Sequence, residues 1–405
     1  MTRENPMSLA APTTTAPIHA ALTREEELHW LALKLVPGLG TRRSVQLVER
    51  FRSPEAVFRA SRADLEACGL SGSVAQSIAS GCTFDDAVEQ QQKLMGCGAV
   101  LIPFQDARYP ARLREIFDPP LALFARGRIE LLGTLMLGVV GTRRPTPYGI
   151  AATERLAADL AQAGLTIASG MARGIDTAAH KSVLAAGGNT VAVFGCGVDM
   201  LYPAENRALR DELAEKGLLV SEFPMGTPAY PQNFPVRNRI ISGMSVGVLI
   251  IEGAQYSGSA ITARMALEQQ REVFSVPGNI TSKMSWGPNL LIKQGAKLVQ
   301  DWNDVITELP AELRQQLSGQ AQQRLFADGT AGSPQAEAVD TEVADLSPVH
   351  RELLKHLKPD ASTHLDELLE TLERYSSSEI IAALFDLEMT GLARQLAGKN
   401  FVRVW

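Results

Sequence analysis

Residues 135–170, "LMLGVVGTRRPTPYGIAATERLAADLAQAGLTIASG", decide the fold. Two short apolar runs, LMLGVVG and LTIASG, enclose PYGIAATERLAADLAQAG, which has the spacing of an amphipathic helix. Strands this apolar are buried on both faces, which requires a parallel sheet with helices above and below. The texture continues through TVAVFG, LLVSEF, VGVLIIEG, EVFSVPG and AKLVQD, with ITARMALEQQ as a further helix. The expectation is a doubly wound α/β domain.

Outward from this core, residues 1–22 read as a disordered tail with no basic stretch leading into an apolar one, and so as no signal peptide. From Thr23, TREEELHWLALKL has a Thr cap and acids in its first turn, the marks of a helix start. VPGLGTRRSVQLVERF and LEACGLSGSVAQSIASG then repeat a helix, glycine turn, helix arrangement within 23–97. Such pairs can present backbone N–H groups to phosphates, as helix-hairpin-helix units do. The favoured reading is a small helical bundle with glycine turns, the commoner arrangement. Residues 98–128 read as a leading strand and a connecting layer into the sheet, within a domain spanning 98–315.

Residues 316–345 are polar, acidic and punctuated by Gly and Pro, an expected linker. Beyond it, 346–405 reads as three helices and a β-hairpin turning at Gly398, the winged-helix layout. Thr363 and Ser376–Ser378 are the expected caps of its second and third helices. The third, SSSEIIAALFDLEMTG, is acidic, whereas a helix in a DNA major groove wants Arg or Lys. Packing or a protein contact is the expectation for that helix.

Composition narrows the class. The 405 residues carry a net charge of −6, with 45% hydrophobic and 21% charged residues, as in an ordinary soluble globular protein. No apolar run approaches the roughly 20 residues that span a bilayer. Four cysteines (Cys68, Cys82, Cys97, Cys196) without CxxC spacing suit a reduced, cytoplasmic setting, the thiols filling core. The charge is uneven. Residues 138–300 hold 15 Lys and Arg against 12 Asp and Glu, while 301–345 hold nine acids against Arg314 and Arg324. A basic groove on the middle domain is compatible with an acidic chain.

In an open α/β sheet, ligands bind beyond the carboxyl ends of the strands. The unusual residues follow the strands here. Gly141, Thr142 and Arg143 follow the first; Ser169, Gly170, Gly174 and Asp176 follow the second. Arg237 and Arg239 precede the fifth, and Ser257, Gly258 and Ser259 follow it. Glycine turns with free N–H groups, backed by arginines, suit phosphate. Each glycine turn alone is also explained by sterics. Asp176 and Glu252 read either as a carboxylate pair or, for Asp176, as a cap or partner of a cleft arginine. GxGxxG, GxxxxGK[ST] and an acid ending the second strand are all missing, which argues against a dinucleotide site and a P-loop ATPase. His180 reads as a packed residue. His350 and His356, six apart, fall on different helix faces, so no metal site is expected.

The motifs GTRRPTPYG, IASGMARGIDTAAH, VAVFGCGVDMLYPAEN, SEFPMGTP, NFPVRNRIISGMS, IIEGAQYSGSAITARMALEQQREVFSVPG and GPNLLIKQGA, in this order between about Gly138 and Asp301, resemble the DprA/Smf family of DNA-processing proteins. The resemblance implies a Rossmann-like domain that binds single-stranded DNA and homodimerises. It also implies an N-terminal helical (helix-hairpin-helix or SAM-like) domain and a C-terminal winged helix. The implied function is protection of incoming single strands in natural transformation and their transfer to RecA, with no catalytic residue and no cofactor. Carried over by motif, the pocket uses Gly141, Thr142, Arg143, Ser169, Gly170, Gly174, Arg237, Asn238, Arg239, Ser257, Gly258, Ser259 and Lys293, with Asp176 and Glu252 in support. Ala204 stands where many relatives carry Lys or Arg, and Arg207 is the nearby substitute. The competing class is a phosphoribohydrolase-like enzyme of related fold, whose PGGxGTxxE signature has no match in EGAQYSGSAITARMALE.

Overall fold

A computed structural model describes residues 22–317 and 347–403, except 256, 359–361, 373, 390–391 and 397. The tail read at 1–22 and the linker read at 316–345 therefore lie outside the described residues, apart from positions 22, 316 and 317. Leu317 closes a helical stretch and is buried against Gly164.

Nine strands form the central sheet: β1 (Val100–Pro103), β2 (Ala122–Gly127), β3 (Met136–Val140), β4 (Thr166–Ser169), β5 (Thr190–Phe194), β6 (Leu218–Ser221), β7 (Ser245–Ile250), β8 (Glu272–Ser275) and β9 (Lys297–Leu298). Their order is β1-β2-β6-β5-β4-β3-β7-β8-β9. From β6 to β9 every pairing is parallel. The 98–128 region adds more than one leading strand: β1 and β2 form an antiparallel pair, and β2 joins β6 antiparallel. The double winding is visible in β3. Leu137 and Val139 pack with the helices Pro147–Gln162 and Ile175–Ala185 on one face, while Met136 and Val140 pack with Asn233–Met244 and Gly258–Glu268 on the other. All five residues of β3 and all six of β7 are buried, which explains the unbroken apolar runs. The chain winds from β3 outward to β6, then returns to the other side of β3 with β7, so the strand order reverses between β3 and β7. A crevice opens there.

Among the described residues six helices precede β1, from Arg24–Leu35 to Phe84–Cys97. Thr23 starts the first with a capping box: its hydroxyl accepts from the Glu26 N–H at 3.2 Å, and Glu26 accepts from the Thr23 N–H at 2.8 Å. Trp30, Leu33 and Leu47 of these helices belong to the same core as Leu123 and Val220 of the sheet. The helical region is thus fused to the β1–β2 side. Gln90 staples the two parts, exchanging hydrogen bonds with the Met225 backbone at 2.8 and 3.2 Å.

At the C-terminus, helices Pro348–His356, Leu365–Thr371 and Ser377–Met389 pack on a sheet β10-β12-β11, with β10 at Thr363–His364, β11 at Ala393–Leu396 and β12 at Asn400–Arg403. The hairpin turns through Gly398, at φ +80°. Thr363, expected to cap a helix, instead pairs with Phe401, and His364 caps by accepting from the Asp366 N–H at 3.2 Å. Ser376 does cap, in a box with Glu379. No helix among the described residues is long and apolar enough to cross a membrane. Of the four thiols, Cys196 is fully buried, and burial pushes it up to about 11; Cys68 and Cys97 are half-buried against the same core, and Cys82 is exposed, so core filling explains three cysteines and not Cys82.

Candidate nucleic-acid interface

A cleft of about 660 Å³ lies at the β3–β7 reversal. Its walls come from six places: Gly141–Arg144 after β3, Ala172 and Asp176 after β4, Tyr202 after β5, the start of the Asn233–Met244 helix with the turn before it, Ser257–Ser259, Ile261 and Thr262 after β7, and Met284 after β8.

The helix Asn233–Met244 explains most of the chemistry. At 3.6 residues per turn, positions i, i+3, i+4 and i+7 share a face. Phe234, Arg237, Asn238 and Ile241 have this spacing and all line the cleft. Arg239, about 200° around the helix from Arg237, points the other way. Its Nη2 lies 2.5 Å from Glu222 and its Nε 3.2 Å from Asp118, and it is 6% exposed. Lys34 sits close enough for its charge to be felt by both Arg239 and Glu222. The sequence reading placed Arg239 beside Arg237 in the groove; the helical register separates them and gives Arg239 to a buried ion cluster.

Arg237 is also buried, at 4% exposure, but it borders the cleft. Nη1 donates to the Gly170 carbonyl at 2.5 Å and to the Val193 carbonyl, and Nε donates to Asn238 Oδ1 at 3.0 Å. The guanidinium thus closes the carboxyl ends of β4 and β5. Asp176 stands behind it, accepting from the Gly170 and Ala172 N–H groups at 3.1 and 3.2 Å. Burial pushes the Asp176 carboxyl up, and the Arg237 charge and these donors oppose it. Burial likewise lowers Arg237, though a guanidinium keeps its proton. Asp176 is thus held by the backbone of its own loop and meets the cleft arginine through charge, without a direct ion pair among the described contacts. Glu252 is separate: both of its oxygens accept from Thr146, from N–H at 2.9 Å and hydroxyl at 2.6 Å, tying the end of β7 to the first helix after β3. No carboxylate pair forms.

Arg143 is exposed and makes no ion pair among the described residues; its guanidinium lies 5.2 Å over the Phe234 ring. Phe234 in turn touches Tyr202, with ring centroids 5.2 Å apart. Arg144 also lines the cleft. On the far wall the Ser257 and Ser259 hydroxyls lie 2.7 Å apart, and Ser257 makes no capping bond to the helix Gly258–Glu268. A Cβ on Gly258 would meet nothing within 4 Å, so the backbone is open there. An 11-residue helix with an uncapped, glycine-bare start favours negative charge.

The remaining expected residues act from behind or stand apart. Ser169 is fully buried and donates to the Val139 carbonyl at 2.6 Å, so it ties β4 to β3. Gly170 leaves room for Arg237, since a Cβ would fall 2.6 Å from Cζ. Gly174 has φ +79°, and a Cβ would press on Pro145 at 2.8 Å, so glycine lets the β4 loop lie against the β3 loop. Lys293 ends the helix Trp286–Lys293, exposed and outside the cleft lining. Arg207 is exposed and also outside it, while Glu205, next to Ala204, pairs with Arg173. His180 is packed, as expected: Nδ1 hydrogen-bonds Thr190 at 2.7 Å, and burial first, then the Arg237 charge, pushes it down to about 3. No cluster of three or more His, Cys, Asp or Glu suited to a metal occurs among the described residues. Phe234, Tyr202 and Arg144 escaped the sequence reading; a helix over 233–244 would have revealed Phe234 as Arg237's i−3 neighbour.

Comparison with known proteins gives this cleft a family. Residues 100–310 match the family model described as DNA recombination-mediator protein A, and 336–399 match that of the DprA winged helix domain. The chain is 44% identical over 214 residues to DNA processing protein DprA of Bacillus subtilis, covering 53% of this chain and 72% of that protein. It is 33% identical to Protein Smf of a Synechocystis strain, covering 94% of this chain and all of that one. The solved structure of DprA from Streptococcus pneumoniae superposes with a TM-score of 0.64 at 33% identity, over 72% of this chain and 99% of that chain. The chain belongs to the DprA/Smf family of DNA-processing proteins.

Proposed function

We propose that the cleft grips the sugar-phosphate chain of single-stranded DNA, with Arg143, Arg144, Arg237, the Ser257–Ser259 turn and the Gly141–Thr142 backbone as the phosphate contacts. The observation that carries this reading is Arg143: an exposed cation in no ion pair among the described residues, held over an aromatic ring at the β3–β7 reversal. Aromatic and guanidinium surfaces side by side suit unstacked bases, and the phosphate contacts carry no sequence information. Asn238 orients Arg237 from the same helix face. Arg239 and Lys293 have no place in this set.

The functional unit comprises the helical region 23–97, the binding domain 98–315 and the winged helix 346–405. It works in the cytoplasm as a homodimer through the Rossmann-like domain, protecting incoming single strands during natural transformation and passing them to RecA. A binding role, not catalysis, is supported by the acids in and behind the cleft wall: Glu252, outside the lining, has both oxygens occupied by Thr146, and Asp176 is held by two backbone N–H groups beside Arg237. The phosphoribohydrolase-like alternative needs a free carboxylate at this place.

The test is a salt titration of oligothymidylate binding by the full chain, against a duplex of equal length. Each phosphate contact contributes a slope of about −0.7 in log affinity against log salt for a single strand. Preference for the single strand with a slope of several contacts supports the reading. Equal or weaker single-strand binding, or release of free adenine from AMP, removes it.

A further inference from the structure

The β11–β12 hairpin of the winged helix lies beside the binding cleft and differs in charge from the rest of its domain. Residues 393–403 hold Arg394, Lys399 and Arg403 and no acid, whereas the helix Ser377–Met389 holds Glu379, Asp386 and Glu388 and no cation. The hairpin is pinned to the first helix after β3 by Arg394, whose Nη1 lies 2.8 Å from Glu154 Oε2. Between the two runs a second cleft of about 510 Å³. Its floor is apolar, built from Pro145, Pro147, Ile150, Leu396 and Val402, and Arg155, Arg394 and Arg403 line it with Glu154.

The linings of the two clefts adjoin along the chain. Arg143 and Arg144 line the first, and Pro145, the next residue, lines the second. Successive Cα atoms stand about 3.8 Å apart, less than one nucleotide step, so a strand carried over this loop would pass from one lining to the other. A flat apolar floor with a guanidinium rim suits the same ligand: bases on the floor, phosphates at the rim. We propose that the wing, through Arg403, extends the single-strand track beyond the Rossmann-like cleft, with Arg394 held by Glu154 as the pin that seats it, and that the acidic third helix takes no part in it. This inference rests on the reading of the first cleft as a single-strand site.

The test uses the full chain and two oligothymidylates, one of about 6 nucleotides, which fills one cleft, and one of about 20, which reaches both. In the variant Arg403→Gln, affinity for the short strand is expected to stay within twofold of the parent. Affinity for the long one should fall several-fold, and its salt slope should shrink by about 0.7, one single-strand contact. Arg403→Lys should restore the slope, since lysine keeps the charge. Unchanged long-strand affinity and slope would overturn the proposal. So would equal losses on both lengths, or a loss confined to duplex DNA. If the parent protein binds neither strand, the first reading has failed, and that outcome differs from failure of the wing alone.

Discussion

Arg237 and Arg239 are the same residue type, two positions apart, buried to the same degree, and do opposite things. Arg237 closes the carboxyl ends of β4 and β5, with backbone carbonyls as its main partners and a single buried acid behind it. Arg239 faces the helical region and is matched by Glu222 and Asp118. Carbonyl partners leave net positive charge at the cleft; carboxylate partners remove it. Function divides along the two faces of one helix, and the identity of the partner decides which arginine is available to an anion.

The largest expected effect breaks the structural face. Arg239→Ala leaves Glu222 buried without its closest counter-charge, and removing one partner of a buried pair costs about 3–5 kcal/mol. Urea unfolding should show that loss, while single-strand affinity of the folded variant at low temperature stays near the parent's. A collapse of affinity in a variant that unfolds like the parent would put Arg239 back in the groove.

Acid should weaken the side behind Arg237. His180 is neutral and fully buried, with its folded pKa lowered to about 3 from 6.5. A base with a lowered folded pKa stabilises the fold above its unfolded value, and this contribution is lost as pH falls from about 6.5 towards 3. The slope approaches about 1.4 kcal/mol per pH unit, so about 2 kcal/mol is lost by pH 5. Comparing stability from pH 7 to pH 5 in the parent and in His180→Leu checks this; the variant should lack that component.

The sheet was legible because strands buried on both faces must be apolar throughout, and the seven parallel runs named in the sequence are β3 to β9. The same pattern placed the loops around Arg143 and Ser257 at strand ends, whereas the reversal between β3 and β7 is visible only in the strand order of the folded sheet. The 233–244 segment was harder to read: its Pro235 and alternating RNR concealed a helix, and without helical register two arginines look alike. Ser169 and Gly170 signalled the right place without showing that one ties strands and the other makes room. Thr363 has a capping residue's composition, and only pairing with Phe401 reveals a strand. Local chemistry is written in local sequence, but which way a side chain points depends on register and partners.

Gly174→Ala sharpens the cleft side at a smaller scale. The new methyl meets a φ of +79° and the β3 loop, a strain of about 1–3 kcal/mol. Because that loop carries Arg143, single-strand affinity should fall together with stability, a coupling that Arg239→Ala should not show. Parallel urea and binding curves for the two variants provide the check.

The smallest effect on stability and the cleanest on binding belongs to Arg143→Gln. The side chain is exposed and unpaired with any acid among the described residues, so unfolding should move by less than about 0.5 kcal/mol. Binding should weaken alike for every single-strand sequence, and the salt slope should become shallower by about 0.7, one phosphate contact. Phe234 separates charge from stacking here, since Phe234→Leu should lower affinity and leave the slope intact. If Arg143→Gln instead weakened binding with an unchanged slope, the guanidinium would be serving Phe234 and a base, and Arg144 and Arg237 would remain the cations that meet the backbone.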